Sequence, residues 1–124
     1  MIIGTGIDIT EIKRIENALS KGDFIGRFFT ENEAEYFAEK KNLPESVAGA
    51  FCSKEAFSKA LGTGIRDFNL KDIEILHTNL GQPYIKLHKN AKDICESMGV
   101  KNIFLSISHS DAYAVANVIL EGDE

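Results

Sequence analysis

The stretch from Pro44 to Leu61 constrains the fold more than any other part of the chain. Pro44 suits the first position of a helix, where its missing N–H costs nothing, and the residues after it make the strongest helix pattern in the sequence. Gly62-Thr63-Gly64 stops it. Around this helix lie segments with strand character. Residues 2–9 alternate glycine and polar residues with β-branched ones and read as an opening strand. Residues 73–78 and 84–88 read as strands joined by the turn Asn79-Leu80-Gly81-Gln82-Pro83. Residues 103–108 and 113–120 alternate apolar and polar side chains and form a second hairpin around Ser110-Asp111. The order strand, helices, hairpin, helix, hairpin predicts an α+β fold with a mainly antiparallel sheet packed against helices, one of them long and central.

The remaining helices are shorter. Thr10 is placed to cap a helix whose apolar face is Ile12, Ile15, Ala18 and Leu19, ending at Gly22. Phe24, Ile25, Phe28 and Phe29 make a short aromatic turn or helix, with more aromatic surface than one short segment easily buries alone. Thr30 and Glu33 match a capping box that starts a helix running to about Lys41. Its apolar face is weak, so a surface position is expected. Residues 89–98 read as a helix ending at Gly99. No repeat, low-complexity stretch or linker interrupts the sequence, and 124 residues suit a single domain, 1–124.

Composition excludes several classes of function. The formal charge is −5, from 19 acidic and 14 basic residues, which argues against general nucleic-acid binding. An anionic partner would need a local basic patch, and Lys13, Arg14, Lys21 and Arg27 offer one. No run reaches the roughly 18 apolar residues of a membrane span. Met1 leads directly into Ile2-Ile3-Gly4-Thr5-Gly6-Ile7 without a basic leader, so no signal peptide and a cytoplasmic location are expected. Cys52 and Cys95 lack metal-ligand spacing and fall in helical segments, so both are read as reduced, partly buried small hydrophobes.

Three groups of residues carry chemistry. Asp8 interrupts an apolar strand, where a carboxylate is a poor neighbour for aliphatics. It either faces solvent, caps the next helix or serves a ligand. The flanking Gly4 and Gly6 permit close approach of a ligand or another backbone. Glu55 and Lys59 lie four residues apart and share a helix face. They form either an ordinary surface pair or, with the small residues Ala48, Cys52 and Ala56 alongside, a site for a cation and a phosphate. Ser106-Ile107-Ser108-His109-Ser110 places two hydroxyls on one strand face with an imidazole at the end. Adjacent strand residues point apart, so Ser108 and His109 are no nucleophile–base pair. Phosphate or adenine contact suits them better. Two carboxylates with substrate phosphates and water match the preferences of Mg²⁺. His77 and His88 show no pattern and are read as structural.

These segments, in this order and spacing, resemble the holo-acyl-carrier-protein synthase family of phosphopantetheinyl transferases. Gly6-Ile7-Asp8-Ile9-Thr10-Glu11-Ile12-Lys13-Arg14-Ile15 matches its first motif, and Phe51-Cys52-Ser53-Lys54-Glu55-Ala56-Phe57-Ser58-Lys59-Ala60-Leu61-Gly62-Thr63-Gly64 its second. Ser106-Ile107-Ser108-His109-Ser110 followed by Tyr113-Ala114 and Ala116 matches the third, and Gly81-Gln82-Pro83-Tyr84 is similar to its hairpin turn. The likeness runs from Met1 to about Leu120.

The resemblance implies a homotrimer with sites at subunit interfaces. It implies Mg²⁺ held by Asp8 and Glu55, and Lys59 on the coenzyme A pyrophosphate. Gly81, Pro83, Ser108 and His109 would meet the nucleotide, and Arg14 would face an acidic acyl carrier protein. A carrier serine would attack the β-phosphate of coenzyme A and release adenosine 3′,5′-bisphosphate, in support of fatty acid biosynthesis. Glu55 and a metal-bound water are the two candidates for the base. Two positions depart from many members: Ala50 stands where an arginine is common, and Gln82 where a lysine is. The competing readings are a Mg²⁺-dependent hydrolase or nucleotidyl transferase, and a non-catalytic subunit that binds coenzyme A or the carrier.

Overall fold

The computed structural model describes residues 1–62 and 68–124, so Thr63 and Gly64 of the expected helix stop lie outside the described residues. Strand β1 (Ile2–Glu11) leads into α1 (Ile12–Leu19), α2 (Phe24–Phe28), α3 (Glu31–Ala38) and the long α4 (Leu43–Leu61). A 3-10 turn (Leu70–Asp72) precedes β2 (Ile73–His77) and β3 (Pro83–Leu87), then come α5 (Lys89–Met98), β4 (Val100–His109) and β5 (Tyr113–Gly122). The expected α+β architecture is observed. β1, β5 and β4 form an antiparallel sheet in the order β1-β5-β4, and β2 pairs with β3 in a separate antiparallel hairpin.

Local signals explain most boundaries. Pro44 sits in the first turn of α4, and Gly62 ends the helix in the left-handed conformation at φ 81°, which glycine adopts without a Cβ penalty. The Thr30–Glu33 capping box is formed in both directions. Thr10 caps nothing: it lies within β1, and Glu11 precedes α1 without a side-chain cap. The strand continues because its pairing with β5 persists to Glu11↔Tyr113, and the Ile12 amide then bonds to Ala112 O (2.8 Å). Helix α3 is less superficial than its sequence suggests, since Phe37 and Glu33 are both buried.

α4 crosses one face of the three-stranded sheet. Ala48, Cys52 and Ala56 on the helix and Ala114, Ala116, Val118 and Leu120 on β5 are fully covered. Glycine is what lets β1 join this layer. A methyl group at Gly4 would overlap the carbonyl oxygen of Ala60, and one at Gly6 that of Ala56. The close approach permitted by these glycines is thus to another backbone. The opposite sheet face carries exposed Ile7, Ile9, Phe104 and Tyr113.

A buried ion pair holds the other side of α4. Lys54 is 0% exposed, and its ammonium donates to Glu33 Oε1 (2.8 Å), Leu70 O (2.9 Å) and Phe28 O (3.0 Å). Glu33 Oε2 accepts from the Ile75 amide (3.0 Å) and Oε1 from that of Thr30 (2.9 Å). Every proton of the ammonium has an acceptor, the condition under which a buried charge is tolerated. The aromatic segment packs inward around this pair. Phe29 is buried under the Lys54 ammonium and against Phe37, while Phe24 and Phe28 pack on Phe51. Phe29 thus joins the core, and Phe24, Ile25 and Phe28 pack half-buried against it.

Since the Gly6 position meets backbone rather than a movable side chain, Gly6→Ala is expected to cost about 3 kcal/mol or more, the upper range for overpacking. Urea denaturation checks this, and a loss under about 1 kcal/mol would show that β1 and α4 can separate without penalty.

Candidate active site

Alternation along β1 sends Ile7 and Ile9 to the open face and Asp8 toward α4. Asp8 pairs with Ala116 of β5, itself paired with Ile107 of β4, so it rises at one edge of the sheet beside the helix. Its carboxylate, 15% exposed, accepts from Lys59 Nζ at Oδ1 (3.0 Å) and from Thr10 Oγ1 at Oδ2 (3.1 Å). Thr10 orients the carboxylate instead of capping α1. Lys59 is 56% exposed and turns to Asp8 on another element, so the expected alternative of a plain Glu55–Lys59 surface pair is not what forms.

Glu55 completes the cluster. Burial raises the pKa of its carboxyl above the ordinary 4.5, the charge of Asp8 raises it further, and Lys59 and Arg14 pull it back. The four residues singled out from the sequence, two carboxylates and two cations, thus act on one another from β1, α1 and α4. Beneath them the Cys52 thiol donates to Asp8 O (3.0 Å), and burial pushes that thiol up to about 11, so it stays protonated. Cys95 is likewise a buried free thiol.

The donor set fits a small hard cation. Among the described residues no group of three or more His, Cys, Asp or Glu side chains converges to hold a metal. Two carboxylates of like charge, one with raised proton affinity, suit an ion that takes its remaining ligands from substrate oxygens and water, as Mg²⁺ does.

The other expected residues gather elsewhere. Gly81, Pro83 and His109 line a cavity of about 420 Å³ together with Ala50, Lys40 and Lys41. His109 Nδ1 lies 3.8 Å from Glu45 at the start of α4. Ser108 does not join them, because strand alternation puts it on the exposed sheet face with Ser106. His77 also lines this cavity, stacked flat on Tyr36 with ring centroids 4.0 Å apart. Burial first, and Lys40 second, lowers its pKa from the ordinary histidine value. No spacing in the sequence signalled this, because Tyr36 and His77 meet only through the packing of α3 on β2. A second cavity, of about 510 Å³, has Glu55 in its wall with Phe28, Phe51, Arg27 and Lys71.

The α+β scaffold thus sets two carboxylates and an exposed ammonium together, near cavities whose walls carry basic residues. The comparisons with known proteins identify the family. The family model described as the 4′-phosphopantetheinyl transferase superfamily matches residues 4–118, and the chain belongs to that family. It is 54% identical over 120 residues to a holo-[acyl-carrier-protein] synthase of Alkaliphilus oremlandii, covering 96% of this chain and 98% of the relative. The holo-(acyl-carrier-protein) synthase of Bacillus anthracis, solved in complex with CoA (3′,5′-ADP), superposes with a TM-score of 0.84 at 40% identity, covering 99% of each chain. The corresponding Neisseria meningitidis synthase gives 0.91 at 34% identity, over 98% of this chain and 99% of that one.

The electrostatic arrangement has signed consequences. A carboxyl whose folded pKa is raised favours the fold at low pH, and that contribution is lost as pH rises through the folded value. Removing a like charge must lower the pKa and removing a cation must raise it. Asp8→Asn should therefore move the Glu55 titration down and Lys59→Met should move it up, read by side-chain carboxyl NMR. A shift of opposite sign in either variant would show that the partner does not act on Glu55 as the geometry requires.

Proposed function

We propose that this chain transfers the 4′-phosphopantetheine group of coenzyme A to a serine of an acyl carrier protein, releasing adenosine 3′,5′-bisphosphate. The observation that carries the reading is the convergence of Asp8 from β1 with Glu55 and Lys59 from α4, in a chain of the phosphopantetheinyl transferase family. Asp8 and Glu55 would hold Mg²⁺, which would supply positive charge to offset that developing on the diphosphate. Lys59, exposed enough to turn from Asp8 to a phosphate oxygen, adds positive charge at the same place. Arg14, on the exposed side of α1, faces the acidic carrier, where a rim charge acts mainly on encounter.

The nucleotide end needs a second subunit. His109 and Glu45 stand together near the start of α4, while Glu55 and Lys59 lie about 15 Å or more further along the helix axis. The base and diphosphate of an adenine nucleotide are joined through one ribose and do not bridge that separation. Gly81, Pro83 and His109 of one chain therefore serve the carboxylate pair of its neighbour, with Ser108 reaching the nucleotide from the sheet face. The exposed apolar face of Ile7, Ile9, Phe104 and Tyr113 supports association of copies as a homotrimer, since contiguous apolar surface of this kind marks an interface. Lys40 and Lys41, in the same cavity as Ala50, supply the cations for the 3′-phosphate that Ala50 and Gln82 do not. The enzyme works in the cytoplasm and supports fatty acid biosynthesis. No helix among the described residues is long and apolar enough to cross a membrane.

Incubation with coenzyme A, Mg²⁺ and an apo carrier should add one phosphopantetheine mass to the carrier. Asp8→Ala or Glu55→Ala should reduce the rate by about 100-fold or more in folded protein. Release of inorganic phosphate without a mass gain would point to a hydrolase instead. Mixing Asp8→Ala with His109→Ala subunits should restore partial activity in hybrid oligomers, whereas a fully active monomer by sedimentation would contradict the shared site.

A further inference from the structure

Lys54 is the one cation of α4 that solvent cannot reach, being 0% exposed, and no substrate can touch it. Its three hydrogen bonds nevertheless end on parts of the chain that border the candidate site. Phe28 O closes α2, and Leu70 O opens the 3-10 turn. Phe28 and Leu70 also line the cavity whose wall contains Glu55. The third bond, to Glu33, ties α4 to the first turn of α3, and Glu33 reaches on to the amide of Ile75 at the start of β2. One ammonium thus holds two lips of that cavity, at Phe28 and Leu70, from the residue next to Glu55 in sequence.

That cavity differs in character from the one lined by His109. Its walls are aromatic, from Phe28, Phe51 and Phe68, and its rim carries Arg27 and Lys71. An apolar floor with a cationic rim suits a segment of an acidic protein better than a nucleotide. Both lips are held by backbone carbonyls rather than side chains, so the shape of the opening depends on where those two carbonyls are anchored. A neutral side chain at position 54 offers them no donor.

We infer that Lys54 is a positioning residue for the acceptor side of the reaction: its buried ammonium holds Phe28 and Leu70 at the spacing that admits the carrier segment to Glu55. This rests on the transfer reading above. Glu33 is the counter-charge that lets the ammonium stay buried. The lips move together when the pair is dissolved, while the parts of the nucleotide cavity that come from the start of α4 and from β4 keep their place.

The test uses the full-length protein with both charges removed. Lys54→Met alone leaves Glu33 buried without its partner, a change that by itself threatens the fold. The informative variant is therefore Lys54→Met/Glu33→Gln, which keeps side-chain volume and leaves a carboxamide oxygen for a backbone amide. Replacing both members of a buried pair is commonly tolerated by the fold. With a melting temperature close to wild type, kcat/KM for the apo carrier is expected to fall at least about tenfold. The KM for coenzyme A should change much less, because its nucleotide end is held in the other cavity. Amide hydrogen exchange at Phe28, Phe29 and Leu70 should quicken about tenfold or more, with β4 and β5 unchanged. Wild-type carrier kinetics, equal losses for both substrates, or unaltered exchange at the two lips would overturn the role given to Lys54. If the unmodified protein transfers nothing, the transfer reading falls, and the exchange measurement still decides whether Lys54 anchors the lips.

Discussion

Strand β1 lies on α4 at a separation that only glycine allows at positions 4 and 6, and the site follows from that contact. With the strand backbone against the carbonyls of Ala56 and Ala60, the next inward-facing residue is Asp8, delivered to the helix beside Glu55 and Lys59. A larger residue at either glycine would lift the strand and take the carboxylate with it. Small residues on the helix face, Ala48, Cys52 and Ala56, complete the fit, and the Cys52 thiol bonds to the Asp8 carbonyl from below. The geometry of the charged groups is therefore a consequence of backbone packing and not of long side chains finding each other. This kind of positioning costs little entropy in the bound state, since Asp8 has few rotamers to lose.

The far side of α4 solves a different problem. α2, α3, the 3-10 turn and β2 are short elements that contribute few buried apolar groups each, and they converge where Lys54 enters. A buried ammonium is unfavourable by itself: burial pushes its pKa down, and the Glu33 carboxylate opposes that fall. What it provides is direction, because its acceptors must lie at fixed angles and distances, whereas apolar packing tolerates sliding. Glu74 extends the polar network toward the surface, accepting from Thr30 Oγ1 (2.6 Å) and His88 Nε2 (3.0 Å). Burial would raise its pKa, but the hydrogen bonds from Thr30, His88 and Asn32 prevail and hold it below the usual value. His88 is thus structural, as its lack of pattern suggests, whereas His77 borders a cavity.

Signals confined to a few neighbouring residues were legible in the sequence. Pro44, the Thr30–Glu33 box and Gly99 each act within one helical turn, and each marks a boundary found in the structure. Glycines flanking Asp8 and small residues flanking Glu55 pointed to a close approach, although the sequence alone left open whether a ligand or a backbone fills it. Thr10 misled because a cap signal competes with strand pairing, and pairing to β5 won. The aromatic run of α2 gives no local sign of what packs on it, because Phe51 and Phe37 are distant in sequence. The Lys54–Glu33 pair was illegible for the same reason, being 21 residues apart. Glu33 was recognised as a cap and Lys54 only as part of a motif, and nothing local joins them.

The central claim is that the packing of β1 on α4 builds a two-carboxylate site for a divalent cation and a diphosphate. A crystal structure of the protein with coenzyme A and Mn²⁺, analysed by anomalous scattering, tests it most directly. The account predicts an anomalous peak shared by the carboxylates of Asp8 and Glu55, with a diphosphate oxygen completing the contact and Lys59 Nζ turned from Asp8 to the phosphate. A peak that avoids either carboxylate, or a diphosphate bound elsewhere while Lys59 stays on Asp8, would contradict it.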